Sequence, residues 1–160
     1  MSKKNLSVNS LYDNIENDFS WRHKELHIFS KRIPIENNAY QRVLLRAGIT
    51  LLYAHWEGFV LSSASDYLQH ISMQGLSHKD LQPQFVALCL KTKIERLSVN
   101  KLETMAEVIV FLNEEMNRKA YVPYKKVINT KANLGFEALR EIFFTIGLDI
   151  GSIRFKRGRN

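Results

Sequence analysis

The longest uninterrupted helical pattern in the chain runs from about residue 38 to 72, and its centre, Leu51 to Val60, reads LLYAHWEGFV. A histidine, a tryptophan, a tyrosine and a glutamate are set there in an otherwise apolar run. Stepping about 100° per residue from His55 places Leu44, Gly48, Leu51, Leu52, Phe59, Ser62 and Asp66 within about 60° of it. Arg46, Thr50, Tyr53 and Glu57 fall on the opposite side. An imidazole in a leucine stripe needs a buried partner, or a place where the stripe meets a groove or a second subunit. The opposite ladder fits a solvated face held by i, i+3 and i, i+4 contacts, although Tyr53 and Trp56 make the region aromatic for plain surface.

The remaining pattern is helical as well. Ser10-x-x-Asp13 opens a helix over about 10–32, on which Leu11, Ile15, Phe19, Leu26 and Phe29 recur near helical spacing until Pro34. Arg22 and Glu25 stand near that stripe; Glu16, Ser20, His23 and His27 form another. Asn38 caps the long helix, Gly75 stops it, and Gly48 or Gly58 offers a bend. After a turn at Ser77 to Pro83 comes a third helix, about 84–97, with Phe85, Leu88, Cys89 and Leu97 on one side. Asn100 caps a fourth, about 101–117, with Leu102, Met105, Ile109 and Leu112 inward. Arg118 to Lys131, with Pro123 and no acid, reads as an ordered, irregular loop. Asn133 caps a last helix, about 134–146, with Leu134, Ala138, Leu139, Ile142, Phe143 and Ile146 apolar and Gly147 closing it. The expectation is an all-α fold, a compact bundle of about five helices with one long central helix, as one domain over 1–149 followed by a basic tail, 150–160.

Size and charge narrow this further. A chain of 160 residues supports one core, and no apolar run approaches the roughly 20 residues that cross a bilayer, so no membrane partner is expected. The polar start MSKKNLSVNS lacks a signal-peptide pattern and Cys89 is the lone cysteine, which together predict a cytoplasmic protein. The net charge of +7 is uneven: residues 1–117 carry 13 basic and 13 acidic side chains, whereas residues 118–160 carry 10 and 3. Such an excess suits a phosphate backbone, and equally a solubilising tail.

Glycine-rich phosphate loops, CxxC pairs, HExxH and GxSxG are absent, so no cofactor is expected. His23 and His27 have a zinc-compatible i, i+4 spacing with Glu16 nearby, but no fourth ligand presents itself; solvated surface histidines are the better account and no metal is expected.

Arg46-Ala47-Gly48 followed by LLYAHWEGFV, with Trp21-Arg22-His23-Lys24-Glu25-Leu26 upstream and Thr130 to Leu134 and Gly147-Leu148-Asp149 downstream, resembles the MAE-type HEPN-like nucleases of bacteria. These are helical domains of toxin–antitoxin and phage-defence systems. The resemblance implies a helical, usually dimeric protein that cuts RNA without a metal, using an arginine and a histidine spaced R-x4-6-H in a cleft between subunits. This chain departs from that spacing. Its one R-x4-6-H pair is Arg22 and His27, about 140° apart by the helical step, while Arg46 and His55 are R-x8-H and point to opposite sides of a straight helix. A homodimer, a bend, or Arg22 facing His55 across two helices would supply an arginine.

The chemistry expected of such a nuclease assigns His55 the proton transfer from a ribose 2′-hydroxyl, since an imidazole titrates near neutral pH. Arg46 or Arg22 holds the phosphate, and Glu57 orients the base or takes the proton. Tyr53 and Trp56 stack on a splayed base; Lys125, Lys126, Arg154, Lys156 and Arg157 supply backbone affinity. The expected partners are RNA, a second copy of the chain, and a cognate antitoxin or defence protein. The competing readings are a non-catalytic helical interaction module and an RNA-binding adaptor.

Overall fold

The structure is a computed structural model that describes residues 7–96, 101–131 and 133–149. Five α-helices occur among the described residues: α1 (Val8–Ser30), α2 (Ala39–Met73), α3 (Pro83–Arg96), α4 (Lys101–Val110) and α5 (Phe136–Thr145). A 3-10 turn, His78–Asp80, precedes α3, and a π turn, Phe111–Glu115, extends α4. The one β pairing among the described residues is an antiparallel bridge of Ser77 with Lys119. The all-α expectation is met, with the long helix as its axis.

α1 starts slightly ahead of the expected position. Ser7, not Ser10, is its N-cap: the Ser7 Oγ accepts from the Ser10 amide at 3.1 Å, which satisfies one of the free donors of the first turn. Asn38 caps α2 as expected, accepting from the Gln41 amide at 2.9 Å. α2 is one continuous helix of 35 residues, about 50 Å long, through both Gly48 and Gly58. Gly75, at φ +70°, follows its end. The connection through Pro34 folds α2 back on α1, and α1 and α2 share the most extensive helix pairing. Gly48 lets the two approach, because a Cβ there would lie 2.9 Å from the Phe29 ring.

The core gathers on the C-terminal half of α2. Ala64 and Leu68 meet Phe85 of α3, Val122 and Ile128 of the irregular segment, and Leu134, Ala138, Ile142 and Ile146 in and beside α5. Apart from His55, every buried residue of α2 lies beyond Ser63. Its N-terminal half instead leaves Tyr40, Val43, Leu45, Ile49 and Leu52 exposed. The irregular segment is an ordered wall, with Ala120, Val122 and Ile128 buried. His78 pins it: its Nδ1 lies 3.0 Å from the Glu115 carbonyl and 3.1 Å from that of Arg118, contacts that place a proton on Nδ1.

Two expectations need correction. Leu102, Met105, Ile109 and Leu112 are exposed, Leu102 by 81%. The inward positions are half-buried Val108 on α4, and buried Phe111 and half-buried Glu115 on the π turn that follows. The apolar pattern predicted an inward face about one position, roughly 100°, away from the one α4 presents to the core. α5 begins at Phe136 with Gly135 as its cap and no side-chain bond there; Asn133, expected as the cap, accepts a hydrogen bond from Tyr53 instead. Gly147, at φ +78°, closes α5 as expected. Leu97, the Asn100 cap and the 150–160 tail lie outside the described residues. No helix among the described residues is long and apolar enough to cross a membrane.

Candidate functional site

Asp18, Arg22 and Glu25 follow one another at i, i+4, i+7 on the α1 face that meets α2, so a polar ladder is laid into the seam between the helices. Asp18 holds the ladder's middle: its Oδ2 accepts from Arg22 Nε and its Oδ1 from Trp21 Nε1, both at 3.0 Å. The Arg22 guanidinium then reaches across, and Nη1 donates to the backbone carbonyl of His55 at 3.4 Å. Gly58 makes this crossing possible, since it leaves vacant the place its side chain would take. Arg22 Cζ also stands 4.6 Å above the Trp21 ring, and Trp21 meets the His55 imidazole edge to face at 5.3 Å.

His55 is thereby enclosed, with 7% of its surface exposed. Its Nε2 lies 3.0 Å from Glu25 Oε2, yet the carboxylate is off the line of a ring N–H, so the nitrogen is within ion-pair range without an aligned hydrogen bond. The Glu25 side chain is 54% exposed, whereas the imidazole it approaches is nearly closed off from solvent. Beside it opens a pocket of about 170 Å³ with walls of Phe19, Leu26, Leu52, Trp56 and Phe59. Arg22, His23 and His55 complete its lining. Farther along α2, burial first and the Asp18 carboxylate second push the Asp66 carboxyl above the ordinary aspartate range.

Residues 11–157 match the MAE_28990-like HEPN family. The chain belongs to that family. No curated protein and no solved structure matched it. HEPN domains form a nuclease-like superfamily whose members generally bind RNA and dimerise.

In this HEPN chain the arginine beside His55 is Arg22, brought there by the α1–α2 pairing. Arg46 lies nine residues before His55, about 180° around α2, exposed and without a hydrogen bond or ion pair from its guanidinium to a described residue. Glu57, about 200° from His55, does not face it either. His27, the histidine in R-x4-H spacing with Arg22, is exposed and stacks on His23 at 6.4 Å. Trp56 lines the pocket, whereas the Tyr53 hydroxyl donates to Asn133 Oδ1 at 3.2 Å and accepts from the Leu134 amide. Lys125 and Lys126 are exposed on the irregular segment, Lys125 Nζ 6.0 Å from the Tyr124 ring, and line no part of the His55 pocket. Arg154, Lys156 and Arg157 lie outside the described residues. Glu25, Asp18, Trp21 and Gly58 were missed as site residues. The signal for the acids was available as the i, i+4, i+7 spacing with Arg22, charges on the side of α1 that also carries Leu11 and Leu26.

Proposed function

We propose that this HEPN protein is a metal-independent endoribonuclease of a toxin or phage-defence module, with His55, Glu25 and Arg22 at its centre. The observation that carries this is the His55 Nε2–Glu25 Oε2 approach of 3.0 Å, with the Arg22 guanidinium in the same seam and an open pocket alongside. When Glu25 turns toward solvent, His55 Nε2 accepts the proton of a ribose 2′-hydroxyl. The 2′-oxygen attacks the adjacent phosphorus, the bond to the 5′-oxygen breaks, and that oxygen takes a proton from solvent water as it leaves while His55 gives its own back to solvent; the products are a 2′,3′-cyclic phosphate and a 5′-hydroxyl. Arg22 Nη2, which has no hydrogen-bond partner among the described residues, supports the charge growing on the phosphoryl oxygens. Lys125 and Lys126, with Arg154, Lys156 and Arg157, supply backbone affinity.

A homodimer completes the reading. Leu45, Ile49, Leu52 and Trp56 are spaced i, i+4, i+7, i+11 and all are exposed. An antiparallel pairing of two α2 helices, centred between Thr50 and Leu51, sets Leu45 against Trp56 of the partner subunit and Ile49 against Leu52 of the partner subunit. In such a pair like flanks face one another, so both His55 pockets open on one side. Arg46 occupies the other flank and stays away from both. A cognate antitoxin or defence partner belongs to the same proposal.

The shielding of Nε2 favours a second reading, in which His55 is structural and the domain is a non-catalytic interaction or RNA-binding module. Single-stranded RNA incubated in EDTA separates the two. Cleavage to cyclic-phosphate ends is expected, falling about 10²–10⁴-fold in a folded His55→Ala variant and sharply in Glu25→Gln and Arg22→Ala. A wild-type protein that is folded and dimeric but leaves the RNA intact would sink the nuclease.

A further inference from the structure

α4 turns the richer of its two apolar sides toward solvent. Leu102, Met105, Ile109 and Leu112 recur at i, i+3, i+7 and i+10, and they are 81%, 53%, 58% and 49% exposed. The side that reaches the core carries half-buried Val108 and buried Phe111, whose ring meets His78 edge to face at 4.8 Å. Phe111 thereby anchors the helix with the stripe outward, a strip about 15 Å long at the helical rise. An apolar strip edged by charge marks a protein–protein contact. Here the edge has one sign. Glu103 and Glu107 are exposed and stand about 40° apart on one flank by the helical step, and exposed Glu114 continues the run on the π turn. Residues 101–117 hold four acids and one base in a chain of net charge +7. The described side chains of α4 and the π turn include none that is basic.

We infer that α4 docks a basic amphipathic helix of another protein. Apolar side chains at helical spacing on that partner cover Leu102, Met105, Ile109 and Leu112, and a lysine or arginine flank meets Glu103 and Glu107. The acids select against the two other occupants. A second copy placed α4 to α4 brings further acids and no described cation to its stripe, and a nucleic-acid backbone is repelled by them. Met105, unbranched and adaptable, lets the strip fit side chains of more than one shape. The inference goes beyond the nuclease reading, because α4 contributes nothing to the lining of the His55 pocket.

The full chain is titrated into three fluorescein-labelled designed helical peptides, with binding read by anisotropy. One has a leucine stripe and a lysine–arginine flank; the second keeps the leucines but has glutamates on the flank; the third keeps the bases but has glutamines for the leucines. The chain's positive net charge opposes unspecific attraction of the basic peptides, so tight binding of the first reports the local acids. Expected is binding of the first peptide, with the other two weaker by roughly 10-fold or more and the gap narrowing as salt rises. Glu103→Lys with Glu107→Lys should reverse the preference toward the glutamate peptide. Leu102→Gln with Ile109→Gln should weaken the first peptide about 10- to 100-fold. Both pairs of changes are at exposed positions and should leave the circular dichroism spectrum and the light-scattering mass as in the wild type. Equal affinity for the basic-flank and glutamate-flank peptides overturns the inference. So does a first-peptide affinity that survives Leu102→Gln with Ile109→Gln but falls in Ile49→Glu, which would put the peptide on α2. A lower mass in the Leu102→Gln, Ile109→Gln variant would assign the strip to a second copy and overturn it as well. RNA cleavage lost by the wild type sinks the nuclease and leaves the peptide result standing.

Discussion

Nη1 of Arg22 stands where a side chain at position 58 would be: a Cβ on Gly58 would fall 2.6 Å from it. The two residues are on different helices, and the absence of one side chain is what lets the other cross the seam. Gly58→Ala is therefore expected to act on the site more than on the fold. Alanine favours a helix over glycine by about 1 kcal/mol, and the displaced atoms are the far end of a flexible side chain. Thermal unfolding should give an unchanged or slightly raised Tm, while RNA cleavage drops on the order of 10²-fold as the phosphate loses a positioned cation. A Gly58→Ala variant that cleaves RNA as well as the wild type would show that Arg22 is dispensable there.

Tyr53 is expected to matter for stability. Its hydroxyl joins α2 to the segment before α5 through Asn133 and the Leu134 amide, and Leu134 is buried. Tyr53→Phe leaves that amide without its partner, at a cost of about 1–3 kcal/mol. Urea denaturation should show a lower midpoint with an unchanged slope. Unaltered stability would return Tyr53 to the list of candidate RNA contacts.

The stripe on the free half of α2 sets a third expectation. Ile49 is 68% exposed, so Ile49→Glu should leave a monomer's stability within about 0.5 kcal/mol. In an antiparallel α2 pair the same change buries a carboxylate against leucine. Light scattering should then report half the wild-type mass. A dimer that survives Ile49→Glu pairs through some other surface.

Asp66 gives a pH signature. Its pKa in the folded chain is raised, chiefly by burial and further by Asp18, so the folded state holds that proton more tightly than the unfolded one. The resulting stabilisation is fully present below the ordinary aspartate value of 3.8 and is lost as pH rises through the raised value. At neutral pH the ionised carboxylate is a cost, and Asp66→Asn should raise Tm. The gain should shrink on acidification and vanish below the ordinary aspartate pKa. A gain equal at both ends would assign the effect to packing.

How far the site could be read in advance differs residue by residue. His55 was legible because it breaks an apolar stripe, and Trp56 because it sits beside that histidine. Arg22 was legible as one of two candidate arginines, and the choice between them depends on which turn of α1 meets which turn of α2. Glu25 was legible only as a charge near the apolar stripe of α1, and Asp18 was not singled out; the opposing helix turns them into an ion-pair partner and an anchor. The α4 assignment failed because the face that reaches the core lies about a residue away from the one the apolar pattern marked.

By itself the sequence determined the helices, the Asn38 cap, the glycine stop at Gly75, and the all-α class, because these depend on interactions between residues at most a few positions apart. The family, too, was legible in the run around His55. What only the tertiary structure decided was partnership: Arg22 rather than Arg46 beside His55, Glu25 rather than Glu57 at its nitrogen, Tyr53 committed to Asn133 and Leu134. The helical period sets an angle within one helix, whereas the register between two helices is set by how their side chains, and the glycines between them, fill the space at contact.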